Sequence, residues 1–125
     1  MILEIDPHSD EPIYRQLRQQ IIIGIAKGEL RPGEQLPTVR QIADELGVNS
    51  MTVSKGYQLL KEEGYLLADR RKGTVVAELP VTQTKEKESA LTLLLAELVL
   101  SGMDKQQLDK LIKQILNDFR KDELQ

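Results

Sequence analysis

The chain has 125 residues, no cysteine, a single histidine (His8) and a formal net charge of −3. The lack of cysteine removes disulfide frames and thiolate metal sites, and one histidine removes histidine-pair metal sites and leaves a histidine-dependent triad without support. No apolar run is long enough to span a bilayer and residues 1–5 do not read as a signal peptide, so a cytoplasmic protein of one domain plus an appendage is expected.

Residues 1–5 alternate enough for a short strand, broken over 7–10. Asp10 is placed to cap a helix with Pro12 in its first turn, where a missing N–H does no harm. Ile13, Leu17, Ile21 and Ile25 then recur every four residues, a buried helical stripe that Gly28 ends. Arg31-Pro32-Gly33 is a turn.

Residues 36–76 carry the strongest pattern. Thr38 precedes Val39, Ile42, Ala43 and Leu46, which share a helical face, and Thr38 with Gln41 makes a capping box. Gly47 sits where that helix must stop. Asn49 can cap a second helix that buries Val53, Tyr57 and Leu60, with Val48 and Val53 placed as a hydrophobic staple. Gly64 ends it, and Tyr65 can fold back on Leu60. Two apolar strand-like runs follow, joined by Asp69-Arg70-Arg71-Lys72-Gly73. Helix, tight turn, helix and basic hairpin is the layout of a winged helix-turn-helix.

Residues 78–88 are polar, contain Pro80 and read as a linker. Beyond them Leu91, Leu94, Leu95 and Leu98 share a helical face, and Ser101-Gly102 closes that helix. Asp104 with Gln107 opens a last helix with Leu108, Leu111, Ile112, Ile115 and Phe119 inside. Such a hairpin leaves its apolar faces half covered, and a second copy would cover them. The expected fold is mainly α: a winged helix-turn-helix over 1–77 with three helices and a β-hairpin wing, a linker over 78–88, and a two-helix dimerisation hairpin over 89–125.

An acidic balance alone argues against nucleic acid, but the location of charge decides. Arg40, Lys55, Arg70, Arg71 and Lys72 surround the expected reading surface, whereas Asp44, Glu45, Glu62 and Glu63 lie toward helix ends or other faces. Arg40 stands in a first turn, where a cation opposes the helix dipole; that misplacement favours a phosphate or guanine contact over an ion pair with Asp44. Thr38 reads as a cap, and Asn49 as a cap or a DNA contact. Ser50 and Thr52 can reach a phosphate or base edge, or simply suit a helix start. Met51 and Lys55 lie opposite Val53 and Tyr57, with Ser54 flanking them. A methionine there suits a thymine methyl and a lysine suits a phosphate. Arg70–Lys72 suit backbone or minor-groove contact, with Gly73 supplying the turn. Tyr57 and Tyr65 read as core.

Gly33-Glu34-Gln35-Leu36-Pro37-Thr38-Val39-Arg40, Leu46-Gly47-Val48, Thr52-Val53 and Glu63-Gly64-Tyr65-Leu66 followed by Lys72-Gly73-Thr74 resemble the GntR family of bacterial transcription regulators, over residues 13–77. Ile5-Asp6-Pro7, Pro12-Ile13-Tyr14 and the short tail are similar to its YtrA-type branch. The resemblance implies a dimeric repressor, often of transporter operons. It also implies DNA contacts at Arg40, Asn49, Ser50, Met51, Thr52, Ser54 and residues 70–73. Many relatives carry arginine where Ser50 and Ser54 stand. Arginine reads guanine through a two-pronged contact, so that task passes here to Arg40 and the wing.

The leading expectation is therefore a homodimeric regulator of double-stranded DNA; the alternative is a winged helix used as a protein-interaction module. No nucleophile–base pair, carboxylate pair or phosphate-cradling loop supports an enzyme, and no cofactor is expected. No stretch identifies a pocket for a small-molecule effector, and no membrane partner is expected.

Overall fold

Three helices and a hairpin build the first unit, Met1–Leu79: α1 (Ile13–Ala26), α2 (Val39–Leu46), α3 (Ser50–Glu62), β1 (Leu66–Asp69) and β2 (Gly73–Val76). The second unit, Pro80–Gln125, holds α4 (Thr84–Leu100) and α5 (Lys105–Asn117). The computed structural model describes residues 3–78 and 84–119. Among them no helix is long and apolar enough to cross a membrane.

α3 is the centre of the first unit, packed against α1 on one side, α2 on another and β1 beyond its end. Its inner face is Val53, Gly56, Tyr57 and Leu60, all buried. These join Leu17, Ile21 and Ile25 of α1, Ile42 and Ala43 of α2, and Leu66 and Val76 of the hairpin in one core. Gly56 sets how closely the helices approach. A Cβ there would stand 3.0 Å from Leu17 Cδ2 and 3.1 Å from the Tyr14 carbonyl oxygen. Next to it, Tyr57 is 2% exposed and its hydroxyl donates to the Pro37 carbonyl at 2.6 Å. Burial raises the phenol's pKa, so it stays a neutral donor. At the far end of α3, Glu63 receives a two-pronged contact from Arg18 of α1, through Nε at 2.6 Å and Nη2 at 2.5 Å. Both side chains are partly shielded, so the pair is stronger than a surface one.

The helix ends follow their local chemistry. Thr38 Oγ1 accepts from Gln41 N, and Gln41 Oε1 accepts from Thr38 N. Gly47 takes φ 68°. Gly64 N–H donates to the Lys61 carbonyl and Tyr65 N–H to the Leu60 carbonyl, the paired bonds of a Schellman motif.

Three details differ from the sequence reading. Of the strand expected over residues 1–5, residues 1 and 2 lie outside the described residues, and residues 3–5 are not a strand. Gln16 Oε1 accepts from Asp6 N at 2.8 Å and its Nε2 donates to the Asp6 carbonyl. Gln20 brackets Glu4 in the same way. Side-chain amides of α1 thus supply what a neighbouring strand would. Second, α1 begins after Pro12 with no side-chain cap, and Asp10 does not serve it. The carbonyl of Pro12 accepts from Arg15 N and Gln16 N instead. Third, the turn at Arg31-Pro32-Gly33 leads into chain that pairs with the wing. Leu36 N–H donates to the Thr74 carbonyl, Gly33 N–H to the Val76 carbonyl, and Val76 N–H to the Glu34 carbonyl.

In the second unit α4 begins at Thr84, inside the segment read as linker. Gly102, at φ 105°, makes the turn, and Asp104 with Gln107 forms the second capping box. Among the described residues α4 and α5 do not run side by side at close backbone distance. Leu108 is buried, and Leu95, Leu98, Leu111, Ile112 and Phe119 are half-buried. Leu91, Leu94 and Ile115 are exposed, and so are Leu93, Val99, Leu100 and Leu116, off the expected stripe.

Gly56→Ala and Gly24→Ala should separate in sign. Alanine gains up to about 1 kcal/mol of helix propensity at either site. At Gly24 the nearest foreign atom to the new methyl is Leu30 Cδ1 at 3.4 Å, an ordinary contact, so the variant should be neutral or more stable. At Gly56 the crowding against a backbone oxygen should win, for a net loss of roughly 1–2 kcal/mol. Urea denaturation reads both; a stabilised Gly56→Ala would refute the close approach.

Candidate nucleic-acid interface

The outer face of α3 is the complement of its buried one. Ser50, Met51, Ser54 and Lys55 are exposed, with Met51 at 77%, and Thr52 is half-buried at the flank. Asn49 caps the helix, its Oδ1 accepting from Met51 N at 2.8 Å. One lone pair of its oxygen is used in the cap, and its amide nitrogen is left to donate outward. The Thr38 hydroxyl is likewise committed to its cap. Arg40 stands exposed in the first turn of α2. The Asp44 ion pair weighed for it does not form, and among the described residues Arg40, Arg70, Arg71 and Lys72 have no salt bridge.

The wing is ordered by its own backbone. β1 and β2 pair antiparallel from Leu66↔Val76 to Asp69↔Gly73, leaving Arg70, Arg71 and Lys72 as the loop. Asp69 Oδ1 accepts from Arg71 N at 2.8 Å and Lys72 N at 3.0 Å, and Gly73 closes the turn at φ 82°. The wing's root is fixed by buried Leu66, Val75 and Val76 and by the bridge Gln35↔Val75. Three cations are thus held at the tip of a short, pinned hairpin.

Lys55 is the one basic group on this face with a defined partner. Its Nζ lies 4.1 Å from the centre of the Tyr14 ring, a cation–π distance. The sequence reading overlooked Tyr14 and Arg15 here, because the period-four stripe of α1 treats both as flank. Among the described residues no cluster of carboxylates or histidine is suited to a metal.

A buried-face helix displaying short polar side chains, a basic first turn and a basic pinned hairpin define a winged helix-turn-helix of the DNA-reading kind. The model of the bacterial regulatory proteins of the gntR family matches residues 12–76, and the chain belongs to that family. It is a transcriptional regulator that binds DNA, and it is not an enzyme. The transcriptional repressor YtrA of Bacillus subtilis is 35% identical over 95% of both chains. The crystal structure of a transcriptional antiterminator from Listeria monocytogenes EGD-e is 30% identical, with 93% of both chains covered and a TM-score of 0.81. The DNA-binding domain of AraR in complex with operator ORX1 is 30% identical with a TM-score of 0.52, over 60% of this chain and 93% of that one.

The N–H groups of Lys72 and Arg71 hold the Asp69 carboxyl below the usual carboxylate range. A depressed folded pKa contributes order above the unfolded value, about 3.9, and loses it as pH falls through the folded one. Protection of the Arg71 and Lys72 amides against hydrogen exchange should therefore hold at neutral pH and vanish in acid below that range. Asp69→Ala should abolish it at every pH while leaving the core amides of α3 protected. Unchanged protection in Asp69→Ala would show that the carboxylate does not order the wing.

Proposed function

We propose that this regulator is a cytoplasmic homodimeric repressor that binds an inverted-repeat operator. The observation that carries the reading is a set of exposed cations, free of salt bridges, around the outer face of α3 on a chain of net charge −3. Each head, over 1–77, would lay α3 in a major groove. Ser50, Met51, Thr52, Ser54 and Lys55 would face bases and phosphates, Arg40 a phosphate or guanine, and Arg70–Gly73 the backbone or minor groove. Thr38 and Asn49 act chiefly by fixing the two helix starts. Half-site centres would lie about one helical turn, or a multiple, apart. The repressor sign follows the printed function of the Bacillus subtilis relative, and transporter genes are the first targets to examine.

The tail over 89–125 supplies the pairing. Leu91, Leu94, Leu95, Leu98, Leu108, Leu111, Ile112, Ile115 and Phe119 would form its seam, and exposed Leu91, Leu94 and Ile115 need a cover that a second tail provides.

Arg40→Ala should lower affinity for any duplex roughly 3–10-fold and reduce the slope of log affinity against log salt by about 1. Neutralising Arg70, Arg71 and Lys72 together should reduce that slope by up to about 3. Binding untouched by both changes would favour the protein-interaction reading. Leu94→Asp, at a position already 58% exposed, should leave the head folded and sediment as a single subunit with weakened operator binding. A wild-type chain that sediments as one subunit at working concentration would refute the dimer.

A further inference from the structure

α1 and α3 converge on a groove of about 600 Å³, lined by Tyr14, Arg15, Met51, Ser54, Lys55 and Glu62 among others. It opens on the same face of α3 that the DNA reading uses. Tyr14 organises its basic side. The Lys55 ammonium sits over the ring, and Arg15 Nε donates to the phenol oxygen at 3.4 Å. The Arg15 guanidinium carbon is itself 5.9 Å from the ring centre. One phenol therefore holds two cations, and among the described residues neither forms a salt bridge. The hydrogen bond from Arg15 and the charge of Lys55 keep the phenol's pKa below its usual value, against desolvation that raises it. Glu62 closes the other end, about 10 Å along the helix from Lys55 by helical rise. Its carboxylate accepts from Gln58 Nε2 at 3.5 Å.

We propose that this groove receives a phosphate of the DNA backbone, with Arg15 and Lys55 as its ligands and Tyr14 as the positioning residue that holds both. The proposal rests on the DNA-binding reading and extends it from α3 and the wing to the start of α1. Two free lysine-like arms would have to be ordered on binding; here the aromatic platform orders them beforehand, and preorganised contacts lose less on association. The acidic end gives the groove a direction. A polyanion enters at the Met51–Ser54–Lys55 end and is repelled from the Glu62 end.

The test is the salt dependence of binding to a random-sequence duplex by fluorescence anisotropy, with thermal melts confirming folding. Arg15→Gln should weaken binding roughly 3–10-fold and lower the salt slope by about 1. Tyr14→Leu carries no charge change, yet it should cost a similar factor and add little on top of Arg15→Gln and Lys55→Gln combined. Tyr14→Phe keeps the ring and should cost less. Glu62→Gln should tighten binding, an effect a structural role for the groove does not produce. Wild-type affinity and slope in Arg15→Gln and Tyr14→Leu, with Arg40→Ala still impaired, would overturn the groove while leaving the DNA reading intact. An unchanged or weakened Glu62→Gln would also count against it. If Tyr14→Leu fails to fold, exposed Arg15 and Glu62 still decide the matter. A wild-type protein with no affinity for duplex at low salt would overturn both readings.

Discussion

The approach of α3 to α1 at Gly56 constrains the rest of the head. With no side chain there, α3 can sink until the Leu17 methyl and the Tyr14 carbonyl would touch a Cβ. At that depth the Tyr57 hydroxyl reaches the Pro37 carbonyl, one residue before the cap of α2. The start of α2 and the body of α3 are thereby tied across the core, not merely through the short Gly47-Val48-Asn49 turn. Arg18 and Glu63 fasten the other end. Because Val53, Gly56, Tyr57 and Leu60 are committed inward, the helical period leaves Met51, Ser54, Lys55 and Gln58 outward. Presentation of the reading face is a consequence of core packing.

Charge follows the same logic. The molecule is acidic as a whole, yet six of its 17 lysines and arginines stand on the surface proposed to meet a duplex: Arg40 at one helix start, Arg70, Arg71 and Lys72 at the wing tip, and Arg15 with Lys55 at the α1–α3 edge. The wing loop and the α1–α3 edge each have a defined support. Asp69 folds the wing loop by accepting two backbone N–H groups, and Tyr14 carries Arg15 and Lys55. A net charge of −3 limits loose attraction to polyanions, and in the proposed complex specific binding falls to a small, oriented basic surface.

Local chemistry was legible in the sequence; contacts between distant residues were not. The capping boxes at Thr38 and Asp104, the stops at Gly47 and Gly64, the Asn49 cap and the wing loop all depend on residues within a few positions, and all stand as read. The strand expected at residues 1–5 does not form over its described residues 3–5, because the partners there are the amides of Gln16 and Gln20, side chains that no alternation pattern registers. Asp10 was a plausible cap, but Pro12 already set the backbone that starts α1. The pairing of residues 33–36 with β2 was hidden because that stretch is too short to alternate. Gly56 gave no signal at all, since a glycine inside a helix reads as a weakness until its neighbour is seen. On the outer face, Met51, Ser54 and Lys55 were recognisable from helical spacing, while Tyr14 beneath Lys55 needed the fold. In the tail, the stripe of Leu91, Leu94, Leu95 and Leu98 was clear, but the apolar residues outside it showed that α4 is not one-sided.

In the proposed complex the outward face of α3 is what meets DNA, and Met51 is a direct probe of it. The chain has three methionines, and only Met51 lies on that helix. With methionine methyls labelled with carbon-13, titration with a duplex should shift and broaden the Met51 methyl signal well before Met103 in the tail responds. Saturable binding with the Met51 signal unmoved would place the DNA on another surface and contradict the account.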